Sequence, residues 1–106
     1  MEELEITTTE DPFGLRLSGE IDMAIAPTLY EALLVALADG RPVTVDMSDV
    51  SFIDSSGLKV ILDAAAESAG DRPLIVQQPS AAVRRVLELF GMDLIPQIRI
   101  VEGDDR

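Results

Sequence analysis

Cysteine, histidine and tryptophan are all missing from this chain of 106 residues, and aromatic residues make up only 4% of it. Without thiols or imidazoles there are no disulfides, no cysteine nucleophile, no histidine general base and few routes to a zinc site. Most familiar hydrolase chemistry goes with them. Basic residues are scarce too: 8 Lys and Arg stand against 20 Asp and Glu, for a formal net charge of −12. Such a surface repels nucleic-acid phosphates and anionic lipid head groups, so neither nucleic acid nor membrane insertion is expected, and a basic protein is the better partner. No apolar run approaches the length that spans a bilayer. The opening MEELEITTTE has neither the basic start nor the apolar core of a secretory signal, so the expectation is a soluble, cytoplasmic protein.

Hydrophobic residues at 47% and charged ones at 26% describe a globular chain, and its length suits one core. A single domain over residues 1–106, without linker or internal repeat, is the expectation. Leu4 to Thr9 and Gly14 to Ser18 read as short strands around the turn EDPFG, a β-hairpin with Leu15 and Leu17 facing inward. A helix follows, with Pro27 early in it and Gly40 closing it; Ala26, Tyr30, Leu33, Leu34 and Leu37 form its apolar stripe. Alternation from Pro42 to Met47 predicts a central strand. In the next helix Leu58, Ile61, Leu62 and Ala65 form the buried face, Lys59, Asp63 and Glu67 the solvated one, and Gly70 the end. RPLIVQQ gives a strand. Ser80 can cap a third helix whose Val83, Val86, Leu87 and Phe90 share one face up to Gly91, and PQIRIVEG gives a last strand. The fold class is α/β: a small mixed β-sheet with helices packed mainly on one side.

In such sheets ligands and partners meet the loops at the carboxyl ends of strands. Two turns qualify, Gly19-Glu20-Ile21-Asp22 and Asp54-Ser55-Ser56-Gly57. A Ser or Asp before a helix is usually a cap for backbone N–H groups that lack an intrahelical partner. The same place also suits a phosphate, because the helix N-terminus favours an anion. From pattern alone, the cap is the commoner answer. An enzyme is a poor fit: a serine nucleophile would need Lys59 as its base, one helical turn away, with no evident oxyanion hole.

The segments LSGEIDMAIAPTLYEAL, VTVDMSDVSFIDSSGLKVIL and VRRVLELFGMDLI together resemble the STAS domain, and within it the bacterial anti-sigma factor antagonists. The resemblance covers nearly the whole chain, in family order. It implies partner switching: the unphosphorylated antagonist binds an anti-sigma factor that is also a serine kinase, frees a sigma factor, and loses the complex once one serine is phosphorylated. The family pattern places the acceptor directly after the aspartate, at Ser55. Ser56 matches the neighbouring hydroxyl, with capping as its expected role. Asp22 matches an acidic residue near the acceptor, although a solvated helix-entry acid is nearly as good a reading. Asp54 and Gly57 complete the motif. Lys59 departs from a position that is often small in the family, which bears on kinase docking. Asp22, Asp54, Ser56, Gly57 and Lys59 are thus the expected partner-binding residues. The resemblance implies no catalytic residues, cofactor or metal, a monomer when free, and a serine phosphatase as a further candidate partner. The alternative it leaves open is a STAS subunit of a larger assembly, such as a lipid-transport ATPase complex or a stress-signalling particle, that does not act on a sigma factor.

Overall fold

The computed structural model describes residues 3–68 and 72–102. Along the chain run β1 (Glu5–Glu10), β2 (Phe13–Ile21), α1 (Ala26–Ala38), β3 (Thr44–Ile53), α2 (Ser55–Ala66), β4 (Leu74–Gln77), α3 (Ala81–Leu89), a 3-10 turn at Met92–Leu94 and β5 (Ile98–Val101). The strands form one sheet in the order β1-β2-β3-β4-β5, with β1 antiparallel to β2 and the remaining pairs parallel. Each helix carries the chain from one strand to the next in the same direction. Right-handed crossovers then put all three helices on one face.

That face holds the core. Leu15, Leu17 and Ile21 of β2, Val45 and Met47 of β3, and Leu74 and Val76 of β4 are buried with Leu29, Leu33, Ile61, Val83 and Leu87 from the helices. The alternate positions Arg16, Asp46 and Arg99 fall on the other, solvated face. The hairpin expected around Pro12 is present, with Leu15 and Leu17 inward.

β3 is central, as its alternation predicts, but it runs to Ile53 rather than stopping at Met47. Its register against β2 slips twice, so three steps from Asp46 to Asp49 match two from Arg16 to Ser18, and Val50 to Phe52 matches Gly19 to Glu20. These bulges space the buried residues Met47, Val50 and Ile53 three apart and erase the period of two. Ser80 caps α3 as expected, accepting from Val83 N at 3.3 Å, and its hydroxyl donates to Val50 O at 2.6 Å.

Helix faces differ from expectation in three places. In α1 the buried residues are Ala26, Leu29, Leu33 and Ala36, while Tyr30, Leu34 and Leu37 are half-buried, because the helix leans on α2 as well as on β2. In α2, Leu58, Ile61 and Ala65 are buried as expected, joined by Gly57, Val60 and Ala64, but Leu62 is 40% exposed. Contact with both the sheet and α1 turns the buried arc toward Val60 and Ala64, leaving Leu62 outside it. Phe90 is 61% exposed because α3 ends at Leu89, so it no longer continues the face of Val83 and Leu87. The expected stop at Gly70 lies outside the described residues; α2 itself ends at Ala66. Accordingly, Leu33→Ala should cost about 2–5 kcal/mol in urea denaturation, whereas Leu62→Ala should cost less than about 1 kcal/mol. Equal losses would contradict this packing.

Candidate functional site

The two turns meet at the carboxyl edge of β2 and β3, where Asp54 N donates to Ile21 O at 3.1 Å. Asp54 is extended (φ −106°, ψ −174°) and is the N-cap of α2. Its Oδ1 accepts from Ser56 N at 2.9 Å, Gly57 N at 3.1 Å and Ser56 Oγ at 2.5 Å. Ser56 is therefore not the cap: it is the second helical residue and donates to the cap through both backbone and side chain. The Ser56 hydroxyl is also the main reason the Asp54 carboxyl sits below its ordinary pKa. Backbone N–H groups of Gly57, Ser56 and Met23 add to this against a smaller opposing effect of burial than of that hydroxyl.

A depressed pKa in the folded state means that the carboxylate stabilises the fold above the ordinary range of about 4, and that this contribution is lost as pH falls through the lower folded value. Asp54→Ala should cost about 0.5–2 kcal/mol at neutral pH, the usual worth of an N-cap. The deficit should shrink in acid, once the wild-type carboxyl is protonated. Denaturation curves at both pH values check this, and a gap independent of pH would show that the charge is irrelevant.

Ser55, the first residue of α2, is exposed, and its hydroxyl has no partner among the described residues. Ser56, half-buried and engaged, is its opposite. Asp22 shapes the other turn: its Oδ1 accepts from Ala24 N at 3.1 Å and Ile25 N at 3.3 Å, while its carbonyl accepts from Ala26 N at 3.0 Å. It is a helix-entry acid in its local role, and the fold brings its turn beside Asp54. Lys59 lies one turn into α2 on the solvated side, donating to Asp63 Oδ2 at 2.9 Å.

Gly57 needs correction as a contact residue. It is buried, and a Cβ added there would lie 2.7 Å from Ile21 Cγ2 and 2.7 Å from Ile53 Cγ1. Only hydrogen fits where α2 sits down on the ends of β2 and β3, so Gly57 supports the site from beneath. Sequence reasoning missed the apolar part of this edge. A groove of about 320 Å³ runs between α1 and α2, lined by Met23, Pro27 and Tyr30 against Ser56, Lys59 and Val60. Met23 is 75% exposed beside it. An apolar residue at a helix entrance reads as core in a sequence, and nothing local marks it otherwise. Among the described residues no group of three acidic side chains is placed to hold a metal ion, and no helix is long and apolar enough to cross a membrane.

A mixed five-stranded sheet layered by helices on one face, with an exposed serine opening the second of them, defines a small α/β domain whose polar turns gather at the carboxyl edge of the sheet. The family model described as "Mlab, STAS domain" matches residues 4–101, and the chain belongs to the STAS domain family. It is similar to the anti-sigma-B factor antagonist of Staphylococcus aureus, 33% identical over 89 residues that cover 81% of this chain and 82% of the relative. The anti-sigma-B factor antagonist of Listeria monocytogenes is 34% identical over 97 residues, covering 89% and 84%. A crystal structure of an anti-sigma factor antagonist from Mycobacterium paratuberculosis matches with a TM-score of 0.85 at 27% identity, covering 95% of this chain and 87% of that one.

Proposed function

We infer that this protein is an anti-sigma factor antagonist of the cytoplasm that works as a phosphorylation-controlled binding switch rather than as an enzyme. Unphosphorylated, it binds an anti-sigma factor that is also a serine kinase, and the sigma factor is freed. The kinase transfers the γ-phosphoryl group of ATP to Ser55 Oγ, ADP leaves, and the complex ends; a serine phosphatase resets it. The observation that carries this reading is the contrast between the two hydroxyls: Ser55 is exposed and has no partner among the described residues, whereas Ser56 must first give up its bond to Asp54. The relatives' names supply the kind of partner. Asp22, Asp54, Ser56 and Lys59 border the contact surface, with the Lys59–Asp63 pair adjusting how the kinase docks.

The Asp54 cap also governs what the phosphate does. The N–H groups of the second and third helical residues are already held by the Asp54 carboxylate. A phosphate on Ser55 adds about −1.5 to −2 charge beside that carboxylate and finds those donors taken. It therefore stays at the surface, where it disturbs a partner more than the fold.

With the cognate kinase and ATP, intact-mass measurement should show one added phosphoryl group, fragmentation should place it on Ser55, and Ser55→Ala should gain none. Labelling of Ser56 in the wild type would overturn the assignment of the acceptor. Failure to label with any serine kinase of the same cell would favour a STAS subunit of a larger assembly that uses this face without the sigma cycle.

A further inference from the structure

Among the described residues the helix layer leaves one strand uncovered. The helices follow the crossovers β2 to β3, β3 to β4 and β4 to β5, while β1 joins β2 through a hairpin alone. Over the helix-side face of β1 lies a groove of about 440 Å³, with Ile6 and Phe13 on its floor and Ala32, Val35 and Ala36 of α1 as its wall. Val35 is 75% exposed there, and Ile6, Phe13 and Ala32 are only half-buried. The alanines, four residues apart, let a neighbouring helix approach closely.

The charge around the groove is acidic. Glu10 and Asp39 line it, and Glu31 stands on α1 one turn before Val35. At one end the chain already shows what such a surface accepts. Arg41 lays its guanidinium 3.8 Å from the centre of the Phe13 ring, while Nε donates to Asp39 Oδ1 at 2.7 Å and the far side reaches Glu10 at 3.6 Å. A cation over an apolar floor, anchored by carboxylates, is the local pattern.

We propose that the β1–α1 groove is a second docking surface, and that it takes the apolar face of a basic amphipathic helix from a partner protein. The helix fills the place the hairpin leaves empty, burying Ile6 and Val35, and its lysines or arginines meet Glu31 and the outer side of Glu10, whose contact with Arg41 is long at 3.6 Å, while Asp39 stays paired with Arg41. A second copy of the chain is a poor occupant, because each copy carries −12 and the two repel. The groove uses the C-terminal half of α1 and the start of β2, the end of the sheet opposite Ser55. Docking here is thus compatible with either state of the switch, and it stands apart from the antagonist reading.

The test uses a synthetic amphipathic peptide of leucine and lysine, about 15–18 residues long, titrated into the full chain and followed by amide NMR shifts. Shifts should concentrate on Ile6, Thr8, Ala32 and Val35, and Ser55→Asp should leave the affinity unchanged. A leucine–glutamate peptide, and a lysine peptide with serine in place of leucine, should each bind at least about tenfold more weakly. Val35→Lys, at an exposed position that leaves the fold intact, should weaken the leucine–lysine peptide by at least about tenfold. The proposal is overturned if Val35→Lys binds the peptide as the wild type does, if the shifts map to the Ser55 edge, or if sedimentation shows self-association that Val35→Lys abolishes.

Discussion

Replacing Gly14 by alanine should cost the domain about 3 kcal/mol or more and lower its Tm by more than about 10 °C. Gly14 stands between two strands, opposite Thr9 of β1 and Thr44 of β3, with φ at +153°. A Cβ there would lie 1.8 Å from Thr44 O and 2.7 Å from Thr44 N. Both are backbone atoms, so no rotamer change relieves the collision. The first parallel pairing of the sheet has to shift, and with it the start of the strand that carries Asp54 to its edge. Set against a total of about 5–15 kcal/mol for an ordinary domain, that loss is large. Thermal melts followed by circular dichroism decide the matter: a variant melting within a degree or two of the wild type would show that the β2–β3 junction is not as close as described.

Phosphorylation of Ser55 should weaken capture of the anti-sigma factor by about 2–5 kcal/mol, at least roughly thirtyfold in affinity, while leaving the melting temperature nearly unchanged. The asymmetry follows from the cap. On the free domain the phosphate is solvated at an exposed position, and the favourable pull of the helix N-terminus offsets repulsion from Asp54. At an interface the same charge must be desolvated beside a carboxylate that is held ionised. Ser55→Ala should bind and persist in the presence of ATP; Ser55→Asp should bind weakly and melt like the wild type. Calorimetry on enzymatically phosphorylated protein is the decisive comparison. Undiminished binding by that form would refute the switch even though the fold stands.

Much of this was legible in one dimension. The hairpin around Pro12, the three crossover helices and the central strand follow from periods of two and near four interrupted by turn residues, which are local properties of the chain. The serine pair that opens α2 is local as well, and the three segments resemble a family in which such a pair carries a switch. Other features were not legible for reasons that can be named. β3 hid its second half because two bulges break the alternation on which strand reading depends. Leu62 and Phe90 look apolar enough for the core, but burial depends on which neighbours a helix has and where it stops. Ser56 looked like a cap because hydroxyls cap helices, yet the extended backbone of Asp54 placed its carboxylate nearer the free N–H groups.

Residue types and their spacing along the chain are enough to give the α/β class, the acidic surface, the absence of thiol and imidazole chemistry and the position of the Asp54-Ser55-Ser56-Gly57 turn. It takes the folded chain to show that Asp54 caps α2 and that, among the described residues, the Ser55 hydroxyl has no partner, Gly57 packs against Ile21 and Ile53, and a groove stays open beside β1. The groove and the close approach of Gly57 to Ile21 depend on distances between segments far apart in sequence, set when helices settle on the sheet, and the cap depends on the extended backbone that Asp54 adopts at the end of β3.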